Sequence, residues 1–424
     1  MKNVLLVAPI LSRSGYGEHA RLVYKALKKL DSVTVYVAAI EWGKSSWILE
    51  PEKEVGPHIM DDINRMSSPP PQFDLSIQVT IPNEWKKAAP VNIGITAGIE
   101  TDRVDPHWLQ QSALMDKIIT ISKHSKSVYE KTSYQIQNKQ TGAISSLTCN
   151  TPIEIIGYPV KNTVPDEKVS SLDFSTKYNF LTVAQWGPRK NIANCIKWFV
   201  EEFKNDADVG LIIKTHQLNM SVLDRRKLQV MLAQMMQEYG DTRKCKIHLL
   251  HGDMTEAEIH ALYTHPSVKC YITTTHGEGY GLPIFEAAYS GLPVIAPAWS
   301  GQNDFLYAPV ENPKSKKVTM QPLFEKVKFT IGQVPKEVVW DKVVTQESQW
   351  CYPEEKSFKK KMREVYKNTN FRKIRAKGLQ EHLIKEFSED KIHQKYQDIF
   401  MSYLDTSETD DEIAKMFASL TSPE

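Results

Sequence analysis

Two glutamates eight positions apart, Glu278 and Glu286, stand in the stretch Gly277-Glu278-Gly279-Tyr280-Gly281-Leu282-Pro283-Ile284-Phe285-Glu286. The run before it, Cys270 to Thr273, reads as a strand, and Pro283 suits the first position of a helix, where its missing N–H costs nothing. The loop would therefore deliver a helix N-terminus into a cleft, with one carboxylate in the loop and the other in the first turn. With that spacing one carboxylate can face a sugar while the other accepts two hydroxyl donors from a ribose. The helix N-terminus between them can hold a diphosphate. A first-turn carboxylate such as Glu286 also compensates the helix dipole, by ~0.3–1 kcal/mol.

A second stretch of this kind is Ala184-Gln185-Trp186-Gly187-Pro188-Arg189-Lys190-Asn191, between the strand-like Phe180 to Ala184 and a helical pattern at Ile192 to Phe203. Arg189 or Lys190 there would lie opposite the diphosphate and neutralise charge building on a departing phosphate oxygen. An exposed loop pair is the plain alternative. Lys214, at the end of the strand-like Leu211 to Ile213, falls on the edge where open α/β sheets bind ligands. Near the N-terminus, Ser14-Gly15-Tyr16-Gly17 follows the run Val4 to Ala8 and precedes a helix starting near Glu18. Glycines at that turn let the backbone approach a ligand, with helix N–H groups behind them for an anion. The third glycine of a dinucleotide fingerprint is missing.

Positioning such loops takes a repeated strand-loop-helix frame, and the chain has one. Short apolar runs alternate with helix-periodic stretches: Val4 to Ala8, Val33 to Val37, Leu75 to Val79, Val91 to Ile95, Ile118 to Ile121 and Ile153 to Ile156 in the first half. A second series runs through Phe180 to Ala184, Leu211 to Ile213, Ile247 to Leu250, Cys270 to Thr273 and Leu292 to Ala296, with helices at Ser221 to Gly240 and Thr255 to Tyr263. This is the α/β pattern of parallel sheets covered by helices, and two halves in tandem predict two Rossmann-like domains facing a central cleft. The periodicity fades around Tyr158 to Ser175, which places the boundary near residue 170. Residues 1–170 would form the first domain and 171–384 the second. Helices run from Pro353 to about Leu404, of which 385–404 would rejoin the first domain, leaving 405–424 as a mobile acidic tail.

The chain has 424 residues, with 53 Lys plus Arg against 51 Asp plus Glu, a formal net charge of +2. Whole-chain polyelectrolyte behaviour is excluded, and only local patches carry argument. The strongest is Lys356 to Lys377, with ten Lys or Arg against one acid, Glu364, a local net of +9. It is either a solvated helix face balanced by acids elsewhere or a site for a polyanionic acceptor, nucleic acid or an anionic membrane surface. The apolar run after Met1 is too short for a signal-peptide core or a membrane span, so a cytoplasmic protein is expected, with peripheral membrane attachment as a variant. The cysteines (Cys149, Cys195, Cys245, Cys270 and Cys351) lie far apart with no zinc-ligand spacing, and read as reduced, structural and metal-free.

At these residues the chain resembles the retaining GT-B glycosyltransferases, and within them glycosyltransferase family 4. Glu278 and Glu286 look like the Glu-x7-Glu motif of that family, followed by Gly291-Leu292-Pro293-Val294-Ile295 and the Gly301 turn. The N-terminal glycine loop, Asp116 to Ser122, Pro188 to Asn191 and His251-Gly252-Asp253-Met254 extend the resemblance over most of residues 1–305. It implies an acceptor-side first domain and a nucleotide-sugar-binding second domain. On the donor side it implies Glu286 on the ribose, Glu278 on the sugar and Lys190 on the diphosphate. Gly15 and Gly17 would approach from the first domain, and backbone near Met254 would meet the base. Tyr280, Gly281 and Leu282 complete the donor loop, and Tyr16 and Glu100 are candidates on the acceptor side. Two departures stand out. Position 185 is Gln where the family usually has an Arg five residues before the Lys, so that Arg189 or Lys214 would have to supply the second phosphate clamp. The stretch Ile95 to Glu100 also lacks the His often found on the acceptor side.

The chemistry so implied is cleavage of the anomeric C–O bond of a nucleotide diphosphate sugar, with Lys190, Arg189 and the Pro283 helix N-terminus stabilising the leaving phosphate. In the front-face route attributed to the family, that phosphate takes the acceptor proton. Neither a metal nor another cofactor is expected. A glycoside hydrolase using the two glutamates as acid and nucleophile is disfavoured, because it needs no diphosphate site. A catalytically inactive sugar-nucleotide-binding adaptor is the non-enzyme alternative.

Overall fold

The computed structural model describes residues 1–137 and 142–420. Its first sheet has six parallel strands: β1 (Lys2–Ala8), β2 (Val33–Ala39), β3 (Leu75–Val79), β4 (Val91–Ile95), β5 (Lys117–Thr120) and β6 (Ile153–Ile155), in the order β2-β1-β3-β4-β5-β6. The second is built from β7 (Tyr178–Val183), β8 (Val209–Lys214), β9 (Lys246–Leu250), β10 (Val268–Ile272), β11 (Val294–Pro297) and β12 (Glu325–Val327), ordered β9-β8-β7-β10-β11-β12, again all parallel. The central strands β3 and β8 are buried along their whole length, as helices on both faces require. These two doubly wound sheets, with helices following them, make the GT-B fold.

Helix α1 (Gly15–Lys28) begins three residues before the expected Glu18. The Ser14 hydroxyl accepts the Gly17 N–H at 3.0 Å, so the cap, rather than the first apolar residue of the stripe, sets the start. Gly15 and Gly17 thereby belong to the first helical turn and not to a loop before it. In the second half, α2 (Ile192–Phe203) packs Phe199 and Phe203 onto Phe180 of β7, and α3 (Leu282–Tyr289) follows the Glu278 loop.

Between β11 and the terminal helices the chain forms structure that the periodicity does not reveal. Two antiparallel hairpins, Tyr307–Glu311 with Val318–Pro322 and Phe329–Gln333 with Gln349–Pro353, flank β12. Then come α4 (Glu355–Lys367), α5 (Thr369–Glu386) and α6 (Glu389–Leu420). Helix α6 returns to the first sheet's layer: Tyr396 Oη lies 2.7 Å from His19 Nε2, and Gln397 donates to the Ala26 carbonyl at 3.2 Å. The expected tail from 405 is thus helical as far as Leu420, and its last four residues lie outside the described ones.

Candidate functional site

In the second sheet the strand order reverses between β7 and β10, and in open α/β sheets the crevice beyond the carboxyl ends at that point is where ligands bind. The two loops leaving these strands are the two that the motifs single out, 184–191 and 273–281. They are stitched together: Thr274 Oγ1 donates to the Asn191 carbonyl at 2.8 Å, Asn191 Nδ2 to the Thr274 carbonyl at 3.1 Å, and His276 N to the Arg189 carbonyl at 2.8 Å. Asn191 holds a left-handed backbone, φ 53°, a conformation Asn tolerates better than most residues.

The stitching brings four charges together. Lys190 Nζ donates to both Glu278 carboxylate oxygens, at 2.6 and 2.7 Å, and Arg189 Nη1 reaches Glu278 Oε2 at 3.1 Å and the Gly277 carbonyl at 2.7 Å. Arg189 Nη2 lies 3.3 Å from Glu100 Oε1, on the loop after β4, so the arginine bridges the two domains. Glu278 is 6% exposed. Burial pushes its carboxyl up, but Lys190 and then Arg189 outweigh that and hold it at about 2. It is therefore ionised at any working pH and cannot serve as a general acid.

The backbone explains the glycines around Glu278. A Cβ on Gly279 would sit 2.3 Å from the Ala97 carbonyl oxygen of the first domain, so the two domains touch here main chain to main chain. Gly281 is the N-cap of α3 with φ 95°, in the left-handed region that favours glycine. Behind it α3 presents its positive end, with Pro283 in its first turn. The Tyr280 side chain turns away from the cleft: it is 3% exposed and packs on Tyr158, Phe285 and Phe305.

Glu286 marks a second wing of the site. It lines a cavity of about 180 Å³ together with Glu18, Lys161, Glu256 and Leu282, where both domains and the linker meet. Tyr263 donates its hydroxyl to Glu286 at 3.0 Å. Lys161 Nζ joins the first domain to the second, at 3.0 Å from Glu18 and 2.5 Å from Glu256. Burial pushes the Glu286 carboxyl up, Lys161 and the Tyr263 hydroxyl pull it down and Glu18 and Glu256 push it up again, for a value of about 7. Lys161 was not among the residues singled out from sequence. It sits in a polar linker with no motif around it, and only its position between two helices makes it part of the cavity.

The remaining candidates are spread more widely. Lys214 donates to the Gly252 carbonyl at 2.7 Å, which fixes the loop carrying Met254 rather than aiming the ammonium at Lys190. Met254 is half-buried against the main core. Gln185 is exposed and donates to the Gln217 carbonyl at 2.9 Å, so the position to which the resemblance assigns an Arg carries no cation. Arg189, and not Lys214, is the second cation beside Lys190. Tyr16 lies at the carboxyl edge of the first sheet, its hydroxyl 2.9 Å from Thr96 Oγ1 and its ring 4.4 Å from that of Trp42. Gly15 is exposed, whereas a Cβ on Gly17 would fall 2.0 Å from the Ser12 carbonyl oxygen. Gly17 is thus required for packing of α1 on the preceding loop, before any ligand is considered.

The basic segment divides. Lys359, Lys361, Arg363, Arg372 and Arg375 pair with Glu201, Glu202, Asp206 and Glu325 from neighbouring elements, so about half of its charge is neutralised inside the domain. All five cysteines are free thiols. Among the described residues no His, Cys, Asp and Glu cluster could hold a metal ion, and no helix is long and apolar enough to cross a membrane.

Residues 164–307 match the family model of glycosyl transferases group 1. No curated protein matches in sequence. The fold is similar to that of sucrose-phosphate synthase from Thermosynechococcus elongatus, at 12% identity over 96% of this chain and 100% of that one, with a TM-score of 0.61. It is also similar to Anabaena HepE in complex with UDP and glucose, at 12% identity over 95% and 100% of the two chains, TM-score 0.56. Against TarM, at 15% identity and a TM-score of 0.47, 77% of the chain aligns and spans about half, 54%, of the TarM chain. The group 1 match thus lies on the sheet that carries Lys190, Glu278 and Glu286, within a GT-B fold similar to that of these enzymes.

Proposed function

We propose that this protein is a retaining, metal-independent glycosyltransferase that moves a hexosyl or pentosyl unit from a UDP- or GDP-sugar to an acceptor hydroxyl on a glycan, a lipid-linked molecule or a modified DNA base. One observation carries the reading: Lys190 and Arg189 converge on the buried Glu278 beside the open N-terminus of α3. Two cations and a helix end supply what a departing diphosphate needs, a preorganised positive environment in a low-dielectric cleft. Glu278, kept ionised by the same cations, would accept a hydroxyl of the donor sugar and hold the ring in place. The ribose would enter the cavity at Glu286, whose carboxylate accepts both ribose hydroxyls. The acceptor hydroxyl would approach from the side of Glu100 and Tyr16, and its proton would pass to the leaving phosphate oxygen on the same face. Closure of the two domains would exclude water and limit donor hydrolysis. A chain of this fold, HepE, is seen with UDP and glucose, which fits a donor of the UDP class.

The test is a panel of nucleotide sugars read by nucleotide release and by thermal shift. One donor should be turned over and should stabilise the wild type, with both effects lost in Glu286→Ala. Stabilisation without release under any acceptor would favour the adaptor reading, and no response to any donor would sink the site assignment.

The pH dependence gives an independent check. Glu286 is raised to about 7, so its ionised fraction falls as pH drops through that value. The donor KM should rise below neutrality with an inflection near 7, while Glu286→Gln gives a flat profile at a higher KM. The same shift has a consequence for stability. The folded state retains a proton that the unfolded chain releases above 4.5, so this group's contribution to stability decreases as pH rises from 4.5 through 7. A KM profile identical in Glu286→Gln would show that another group titrates.

A further inference from the structure

We propose that the outward face of helix α5 docks this protein on an anionic lipid surface. The basic segment is sorted by the fold into two sets. Arg372 and Arg375 turn inward, where both contact the buried Glu325, and this fixes the roll of α5 about its axis. Ala376, Leu379 and Leu383 face the core, and Gln380 donates to the Tyr289 carbonyl at 2.9 Å, tying α5 to the helix that carries Glu286. What is left facing solvent is a mixed face. Lys367, Lys373 and Lys377 are exposed and have no carboxylate at salt-bridge distance among the described residues. Between them stand Phe371, 57% exposed, and Ile374, 72% exposed.

Neither feature alone would point to a bilayer. Together they have the composition of an interfacial helix face, with bulky apolar side chains to enter the acyl boundary and flanking lysines to meet lipid phosphates. A nucleic acid would use the lysines but takes an aliphatic side chain such as Ile374 only as a wedge between unstacked bases, so the apolar pair favours lipid over DNA or RNA. Of the acids of the helix, Glu381 stands on the same face one turn beyond Lys377 and Glu386 at its C-terminal end, so both lie C-terminal to Phe371 and Ile374. The contact would therefore be made by the N-terminal half of α5 and the end of α4.

The experiment is co-sedimentation of the full chain with vesicles of phosphatidylcholine alone or mixed equally with phosphatidylglycerol. A duplex DNA binding assay runs beside it. The wild type should bind the mixed vesicles and not the neutral ones, with binding weakened by salt. Phe371→Ser with Ile374→Ser, and separately Lys373→Glu with Lys377→Glu, should each lower the partition coefficient at least about tenfold, since each basic residue near such a surface contributes on the order of fivefold. All four positions are exposed, so an unchanged thermal midpoint verifies that the variants fold, independently of any glycosyl transfer. No binding of the wild type to mixed vesicles, or binding indifferent to Phe371→Ser with Ile374→Ser, would overturn the proposal. DNA binding lost only in the lysine variant, without vesicle binding, would also overturn it and make the face a nucleic-acid site.

Discussion

Lys190→Ala should lower sugar transfer about a thousandfold at saturating donor, the cost expected when a preorganised group at a developing oxyanion is removed. The size of the effect follows from where the ammonium is held. Lys190 lies at the start of the connection into α2, on a loop whose backbone is pinned by Asn191 and Thr274, and it points at the carboxyl edge of the sheet. Without donor its charge is absorbed by Glu278 at 2.6 Å. On the proposed reading, a donor diphosphate would bring negative charge into the same space, and the ammonium would be shared between the two. The effect should fall on kcat more than on KM, because negative charge on the leaving oxygen is greatest in the transition state.

Removing Lys190 also leaves a buried carboxylate with one cation fewer. Breaking a buried pair outright costs ~3–5 kcal/mol, but Arg189 remains 3.1 Å from Glu278 and should hold the loss well below that. The thermal midpoint therefore separates a folding defect from a chemical one. Lys190→Arg keeps the charge but not the compact geometry, and should recover part of the rate. A Lys190→Ala enzyme within about tenfold of wild type would show that the leaving group is stabilised elsewhere.

The parts of this fold written in short-range patterns were legible from the sequence. Parallel strands such as Lys2–Ala8 carry continuous apolar runs, here Val4 to Ala8, and the amphipathic stripe of Ile192–Phe203 marks its helix to the residue. The region from 305 to 353 was not legible, because its hairpins are half-exposed and carry mixed polar and apolar residues without a clean alternation. At the site, glycine-flanked glutamates and a Lys-Arg loop are local signals that identify candidates. What those signals omit is direction. Tyr280 sits amid the motif yet its ring is core, and Lys214 lies at the right edge of the sheet yet serves the Gly252 loop. The opposite case is Lys161, with no motif around it, which gains its place only when α1 and the helix at Glu256 meet across the linker.

Gly279→Ala should reduce kcat/KM about a hundredfold while lowering stability by only ~1–3 kcal/mol, the usual range for overpacking. A methyl group at this position lies 2.3 Å from the Ala97 carbonyl oxygen and 3.4 Å from Ile121 Cδ1. The obstructing atom is main chain, on the loop directly after β4, so no rotamer change relieves the clash. The two loops must move apart by on the order of 1 Å, the displacement that typically costs a positioned reaction two decades. That shift separates Glu100 from Arg189, which are 3.3 Å apart, and so loosens the ion pair that joins the loop after β4 to the Arg189–Lys190 loop. The sheets on either side keep their own cores, which is why stability suffers less than rate. Gly56→Ala is the control, since a Cβ there meets only Tyr24 Cε1 at 3.8 Å, an ordinary contact, and it should behave as wild type. Turnover of Gly279→Ala equal to that of Gly56→Ala would mean that the contact between the two loops plays no part in forming the active cleft.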